Sequence, residues 1–235
     1  MGESVLSIQN LHAWYNKKKE VLSGFSIELG RQEVVGLIGL NGAGKTTFLN
    51  TLSGLHKGFQ CDRICFQGAE TSFREEAFKR CRYTVFAEDT SYRYFTFWEY
   101  LSYVEAAYGK KLSGVEDLVQ GFGFADYTGV LLGELSLGNR KKAYLITAFA
   151  LEPELLLLDE PVNGLDFQGT EFLYQLIAAY KERGTVLFSS HILESITLTC
   201  DRVLVLEEGH IRQTFAGGQI DAAGIREALH HEGDI

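Results

Sequence analysis

The sequence predicts an α/β protein built on a buried parallel sheet with a helical insertion, and three stretches carry that prediction. "EVVGLIG" is a short apolar run that passes into the glycine-rich "GLNGAGKTT" and then into a helical stretch, Thr46 to Gly54. "LLLLDE" and "GTVLFSSH" are two further short apolar runs, separated by a helical pattern from Thr170 to Lys181. Strands covered on both faces read as continuous apolar runs, and strand–loop–helix order belongs to proteins with such a sheet.

The other elements follow along the chain. Val5 to Gln9 and Phe25 to Leu29 alternate apolar and polar residues, as half-buried strands do, with "NKKKE" (Asn16 to Glu20) as an exposed, solvated turn between them. From Arg74 to about Gly133 the chain is rich in aromatics and reads mostly helical, above all Phe97 to Tyr108. "DRVLVLEEGHI" reads as a hairpin turning at Glu207 to Gly209, and "IREALHH" as a short helix. No internal repeat or low-complexity tract interrupts this order, so residues 1–235 are read as one domain, with a helical subdomain at approximately 74–140.

Composition sets the bounds. A chain of 235 residues suffices for one well-packed domain, and 46% hydrophobic with 23% charged residues is ordinary globular usage. A formal charge of −9 argues against nucleic acid as a partner, although a local basic patch is compatible with it. Of Cys61, Cys65, Cys81 and Cys200 only the first two lie close together, and no histidine pair at ligand spacing follows. Reduced thiols of a cytosolic protein are therefore expected in preference to a metal site. No secretory signal, lipidation pattern or bilayer-length apolar run is read, which predicts a soluble chain.

The chemistry centres on Gly39–Leu40–Asn41–Gly42–Ala43–Gly44, followed by Lys45, Thr46 and Thr47. This is the G-x4-G-K-[ST] arrangement of a phosphate-binding loop. Glycines let successive backbone N–H groups point into one concavity, which a β-carbon would obstruct. Lys45 is placed to reach the β- and γ-phosphates, the Thr46 hydroxyl to hold Mg²⁺, and the helix N-terminus to add its positive end. The loop follows an apolar strand and opens a helix, the context the motif requires. A nucleoside triphosphate ligand follows.

A second acidic site must hold the metal and orient water. At the end of "LLLLDE", Asp159 is expected to accept from Mg²⁺-bound water and Glu160 to polarise the attacking water. His191 ends "VLFSSH", so a parallel sheet would deliver it to the same carboxyl edge, beside the γ-phosphate.

Taken in order, "AWYN", "GLNGAGKTT", "ELSLGN", "LLLLDEP", "NGLD" and "SSH" resemble the nucleotide-binding subunit of ATP-binding cassette (ABC) transporters, from about Leu6 to Gln213. The resemblance implies a RecA-like P-loop NTPase core with a small antiparallel β-subdomain and an inserted α-helical subdomain. It implies that Tyr15, or failing it Trp14, stacks on adenine, and that Asp166 belongs to a loop crossing a dimer interface. It also implies head-to-tail dimers, in which ATP lies between the phosphate loop of one chain and the Leu-Ser-Gly-Gly-Gln element of the other. Separate transmembrane permease subunits and a peripheral place on the cytoplasmic face of the membrane follow from the same likeness.

Two positions depart from the family pattern. The loop that begins with a Mg²⁺-binding glutamine aligns with "VFAEDTS", which puts Glu88 at that position, with Asp89 as the competitor. In "ELSLGNRKKA" (Glu134 to Ala143), Leu137 and Asn139 alter the signature. Ser136 can cap the following helix and reach a phosphate across an interface, and Gly138 stands where close backbone approach is needed. An ordinary capped helix is the alternative. Basic residues in the first helical turns oppose the macrodipole, so the placement of "NRKKA" is expected to be offset by something else, as an anionic nucleotide nearby would do.

The resulting expectation is an ATPase subunit driving export. The Ser-Leu-Gly variant is similar to those of single-domain drug, bacteriocin and lantibiotic exporters. An importer ATPase, a non-transport ABC ATPase and an unrelated P-loop enzyme are the alternatives; no Asn-Lys-x-Asp guanine-reading motif is present. Homodimer and heterodimer both fit, and aromatics among Tyr92, Tyr94, Phe95 and Trp98 are expected to face a permease groove.

Overall fold

The computed structural model describes residues 4–16 and 19–230. Two sheets organise them. The first is antiparallel. Strands β1 (Ser4–Asn16) and β2 (Lys19–Gly30) pair along most of their length, and β4 (Phe59–Gln60), β5 (Arg63–Phe66) and β6 (Ala69–Glu70) complete the sheet. Both expected N-terminal strands are therefore present and longer than the alternation suggested, because bulges let pairing continue past each break in period. Lys17 and Lys18 of the expected turn lie outside the described residues.

The second sheet joins β3 (Val34–Ile38), β7 (Arg82–Val85), β8 (Leu155–Asp159), β9 (Thr185–Ser190), β10 (Arg202–Glu207) and β11 (His210–Ala216) in the order β11-β10-β3-β9-β8-β7. All its pairings are parallel except the β10–β11 hairpin. The continuous apolar runs have a direct physical cause. Val35, Leu37, Leu155, Leu157 and Leu187 face a core shared with the antiparallel sheet and with α1 (Lys45–Leu52). Their neighbours Val34, Ile38, Leu156, Leu158, Val186 and Phe188 face a second core built by helices. Each strand is buried on both sides.

That second core holds α3 (Phe97–Tyr108), α4 (Val115–Gly121), α5 (Leu137–Leu151), α6 (Phe167–Tyr180), α7 (Leu193–Thr199) and α8 (Ala222–His230). A capping box between Thr96 and Glu99 starts α3, and Gly109 in the left-handed conformation ends it, so its bounds match those read from the sequence. The stretch 74–133 is not wholly helical, however. After the short α2 (Glu76–Cys81) it supplies β7, which pairs with β8 at the edge of the parallel sheet. Four residues beginning with Arg carry too little pattern to register as a strand. The terminal helix packs Ile225 and Ala228 into the core; His231 lies outside the described residues. Among the described residues no helix is long and apolar enough to cross a membrane.

Candidate functional site

The loop between β3 and α1 is shaped by what glycine permits. A β-carbon at Gly39 would stand 2.3 Å from the Leu206 carbonyl oxygen, closer than any side chain tolerates. Gly42 and Gly44 have φ of +88° and +110°, conformations that L side chains rarely adopt. Gly44 is also the N-cap of α1 and offers no side chain to bond the helix's first amides, which stay available to an anion.

Above the loop is a cleft of about 560 Å³, in the size range of small-molecule sites. Its walls include Tyr15, Lys19, Asn41, Gly42, Gly44, Lys45, Thr46, Thr47, Glu160, Asn163 and His191. Lys45 Nζ donates to the carbonyl oxygens of Gly39 (2.7 Å) and Leu40 (3.3 Å) and lies 4.0 Å from Glu160 Oε1. Burial lowers its pKa, and the charges of Glu160 and Asp159 oppose that shift. Ala43 is buried, and its amide closes the loop onto Leu40 O at 3.1 Å, while the Leu40 side chain is exposed.

The acids are fixed by sheet register. Asp159 pairs with Ser189 across β8 and β9. Ser189 Oγ donates to Asp159 Oδ1 (2.6 Å) and accepts from the Glu160 backbone N–H (2.9 Å). Thr46 Oγ1 donates to the same Asp159 oxygen at 3.3 Å. Glu160 has φ of +46°, a left-handed conformation unusual for a residue with a β-carbon, and this turns its side chain into the cleft as the strand ends. There Glu160 Oε2 is 2.7 Å from His191 Nδ1. Carboxylate and hydroxyl oxygens spaced like Thr46 and Asp159 suit a small hard cation that keeps several waters, so the donor set fits Mg²⁺.

Tyr15 stands at the rim, 65% exposed, with its ring edge-on to His56 (4.9 Å) and its hydroxyl accepting from Thr47 Oγ1 (3.3 Å). Trp14 is more covered; its carbonyl oxygen lies 3.1 Å from His56 Nε2, and its N–H donates to the Gly58 carbonyl oxygen at 2.7 Å. Ser136, Gly138, Asp166 and Glu88 do not line this cleft. Ser136 caps α5, accepting from Asn139 N–H at 3.2 Å. A β-carbon at Gly138 would lie 2.0 Å from Gly164 O, so the close approach at this glycine is made within the chain. Asp166 caps α6 and accepts from Lys142 Nζ (2.6 Å), and those bonds lower its pKa. Glu88 is exposed on the loop after β7.

The lysines of "NRKKA" correct one expectation. Lys141 and Lys142 are buried and bonded inside the chain, Lys141 to the carbonyl oxygens of Phe86 and Ala87 and Lys142 to Asp166. Their compensation at a helix start is intramolecular and needs no nucleotide. Ser189, Asn163 and Lys19 are site residues that reading the sequence did not single out. For Ser189 the available signal was its place two residues before His191 on a strand beside "LLLLDE".

Comparison with known proteins agrees with this geometry. Residues 22–163 match the family described as "ABC transporter". The chain is 34% identical over 223 residues to the putative ABC transporter ATP-binding protein AlbC of Bacillus subtilis (strain 168), covering 92% of this chain and 93% of that one. It is 31% identical over 208 residues to the lantibiotic transport ATP-binding protein SrtF of Streptococcus pyogenes, covering 88% and 89%. A solved ATP-binding subunit of an ABC transporter superposes with a TM-score of 0.82 at 28% identity, over 95% of this chain and 92% of that one. With its phosphate loop, paired acids and RecA-like P-loop fold, the chain belongs to the ABC transporter family as an ATP-binding, ATP-hydrolysing subunit.

Proposed function

We propose that this chain hydrolyses ATP with Glu160 polarising the attacking water, and that it does so in a head-to-tail dimer that drives export through separate membrane permeases. One observation carries the catalytic part: Lys45, Glu160 and His191 meet in one cleft whose neighbouring oxygens are those of Thr46 and Asp159. On ATP binding, Lys45 exchanges its bonds to Gly39 and Leu40 for the β- and γ-phosphates. The loop amides and the α1 N-terminus take phosphate oxygens, and Tyr15 offers its exposed face to adenine. His191 holds the Glu160 carboxylate through Nδ1 and keeps the rest of its half-exposed ring for the γ-phosphate. Thr46 and Asp159, with Glu88 or Asp89 of the loop after β7, would hold Mg²⁺, which when bound would supply positive charge against the charge developing on the phosphate.

Dimerisation is supported by the residues that the cleft leaves out. Ser136, Gly138 and Asp166 form one unit through the Gly138–Gly164 approach and the Lys142–Asp166 bond, and Ser136 and Asp166 are exposed. In a partner of the same kind this unit would close over the phosphate loop. The permease groove belongs to the helical subdomain, at approximately 74–140: a cavity of about 340 Å³ lined by Tyr92, Tyr100 and Tyr103, with Tyr94 and Trp98 exposed nearby in sequence. Likeness to a protein named for lantibiotic transport supports a peptide cargo and export, from a peripheral position on the cytoplasmic face.

Glu160→Gln tests the catalytic assignment. It should lower kcat by about 100-fold or more, the range for losing a general base, while ATP affinity stays within a few-fold. Turnover at the normal rate would remove Glu160 from the role.

A further inference from the structure

The second turn of α5 carries two buried lysines in succession. Consecutive residues leave a helix about 100° apart, so the two reach different neighbours. Lys142 bonds Asp166, in the turn that opens α6. Lys141, only 2% exposed, donates to Phe86 O at 2.6 Å and Ala87 O at 2.8 Å, in the loop that leaves β7. Both acceptors are neutral, and an ammonium buried on neutral acceptors alone is costly. Charge gathers around it instead. Asp159, Glu160, Asp89 and Glu88, in falling order of influence, all favour its protonated form. Lys141 thus stands between the acids at the end of β8 and the acids of the loop after β7, two groups that would repel each other without it.

We propose that Lys141 is a positioning residue of the ATPase cycle. It holds the loop 86–89 beside the end of β8 and, with Lys142, makes the start of α5 the junction between that loop and the Asp166 turn. Ser136 caps the same helix one turn earlier, so a contact that shifts Ser136 carries loop 86–89 with it. That last step rests on the dimer reading above; the loop-holding role does not.

The test uses Lys141→Gln and Lys141→Arg in the full chain with ATP and Mg²⁺. Three readouts serve: kcat, KM for ATP, and amide hydrogen exchange in residues 86–91 against 155–159. Losing a charged donor to two carbonyls should lower kcat about tenfold or more in Lys141→Gln, with KM changed less than about threefold. Exchange should quicken in 86–91 and stay unchanged in 155–159. Lys141→Arg should recover most of both effects, because a guanidinium can donate to both carbonyls. Normal kcat and exchange in Lys141→Gln would overturn the proposal. So would faster exchange across both segments without rescue by arginine, which is the behaviour of a residue that merely packs the core. Glu160→Gln run alongside keeps the two readings apart, since its failure would remove the catalytic assignment and leave the exchange result for Lys141 standing.

Discussion

Glu160 shows how one residue's chemistry depends on its neighbours' backbone. Its left-handed φ costs on the order of 1 kcal/mol or more, and the Ser189 hydroxyl bonded to its amide helps hold the turn. The same hydroxyl donates to Asp159, so Ser189 fixes both acids with one oxygen. Ser189→Ala would leave a buried carboxylate oxygen short of the nearer of its two donors and the Glu160 amide short of its acceptor. The expected cost is about 1–3 kcal/mol, seen as a melting temperature lower by several degrees together with a reduced kcat. Ser189→Thr, which keeps the hydroxyl, should recover both; equal losses in the two variants would show that the hydroxyl is not what matters. Gly138 gives a different lesson. Any side chain there meets Gly164 O before it could meet a ligand, so Ser136 is the cleaner probe of the signature.

At the scale of the element, α5 is unusual in burying nearly its whole circumference, lysines included. Burial pushes the Lys141 ammonium down to about 8 from its ordinary 10.5, against the opposing pull of Asp159, Glu160, Asp89 and Glu88. The sign of the consequence follows from linkage. Below pH 8 folded and unfolded chains both carry the proton, and the folded state bears the full burial penalty. Between about 8 and 10.5 the unfolded chain binds the extra proton, so this group's contribution becomes more favourable as pH rises. The difference in unfolding free energy between wild type and Lys141→Met should therefore shift toward wild type across that window and stay flat below it. A flat difference throughout would mean that Lys141 titrates alike in both states.

For the whole molecule, the proposed dimer raises the question of which chain would complete each ATP site. The cleft residues and the Ser136–Asp166 unit occupy separate surfaces of one chain, so a Lys45→Ala chain and a Ser136→Ala chain should complement each other. In a head-to-tail dimer of the two, one site pairs an intact phosphate loop with an intact Ser136. Mixing the two inactive proteins should thus restore part of the ATPase activity. No recovery on mixing, with both variants folded, would place Ser136 in the service of its own chain or of none.

That the phosphate loop, Asp159, Glu160 and His191 come together at one sheet edge was legible in the residues, because each falls on a short contiguous run. Glycines at fixed offsets make a phosphate cradle, and an apolar strand ending in acids delivers those acids to a sheet edge. The bounds of α3 were legible for the same reason, since its cap and its stop are local signals. Strand β7 was not, because what makes Arg82–Val85 a strand is its pairing with β8, some seventy residues later. Nor could the sequence say where the α5 lysines point. A helix-dipole argument asks only for an anion or an acceptor nearby, and the fold supplies Asp166 and two loop carbonyls from other parts of the chain. The sequence by itself determined the ligand and the reaction class, which depend on local patterns of residue type. Only the tertiary structure decided the partners of Ser189, Gly138, Lys141 and Lys142, because those contacts join residues distant along the chain.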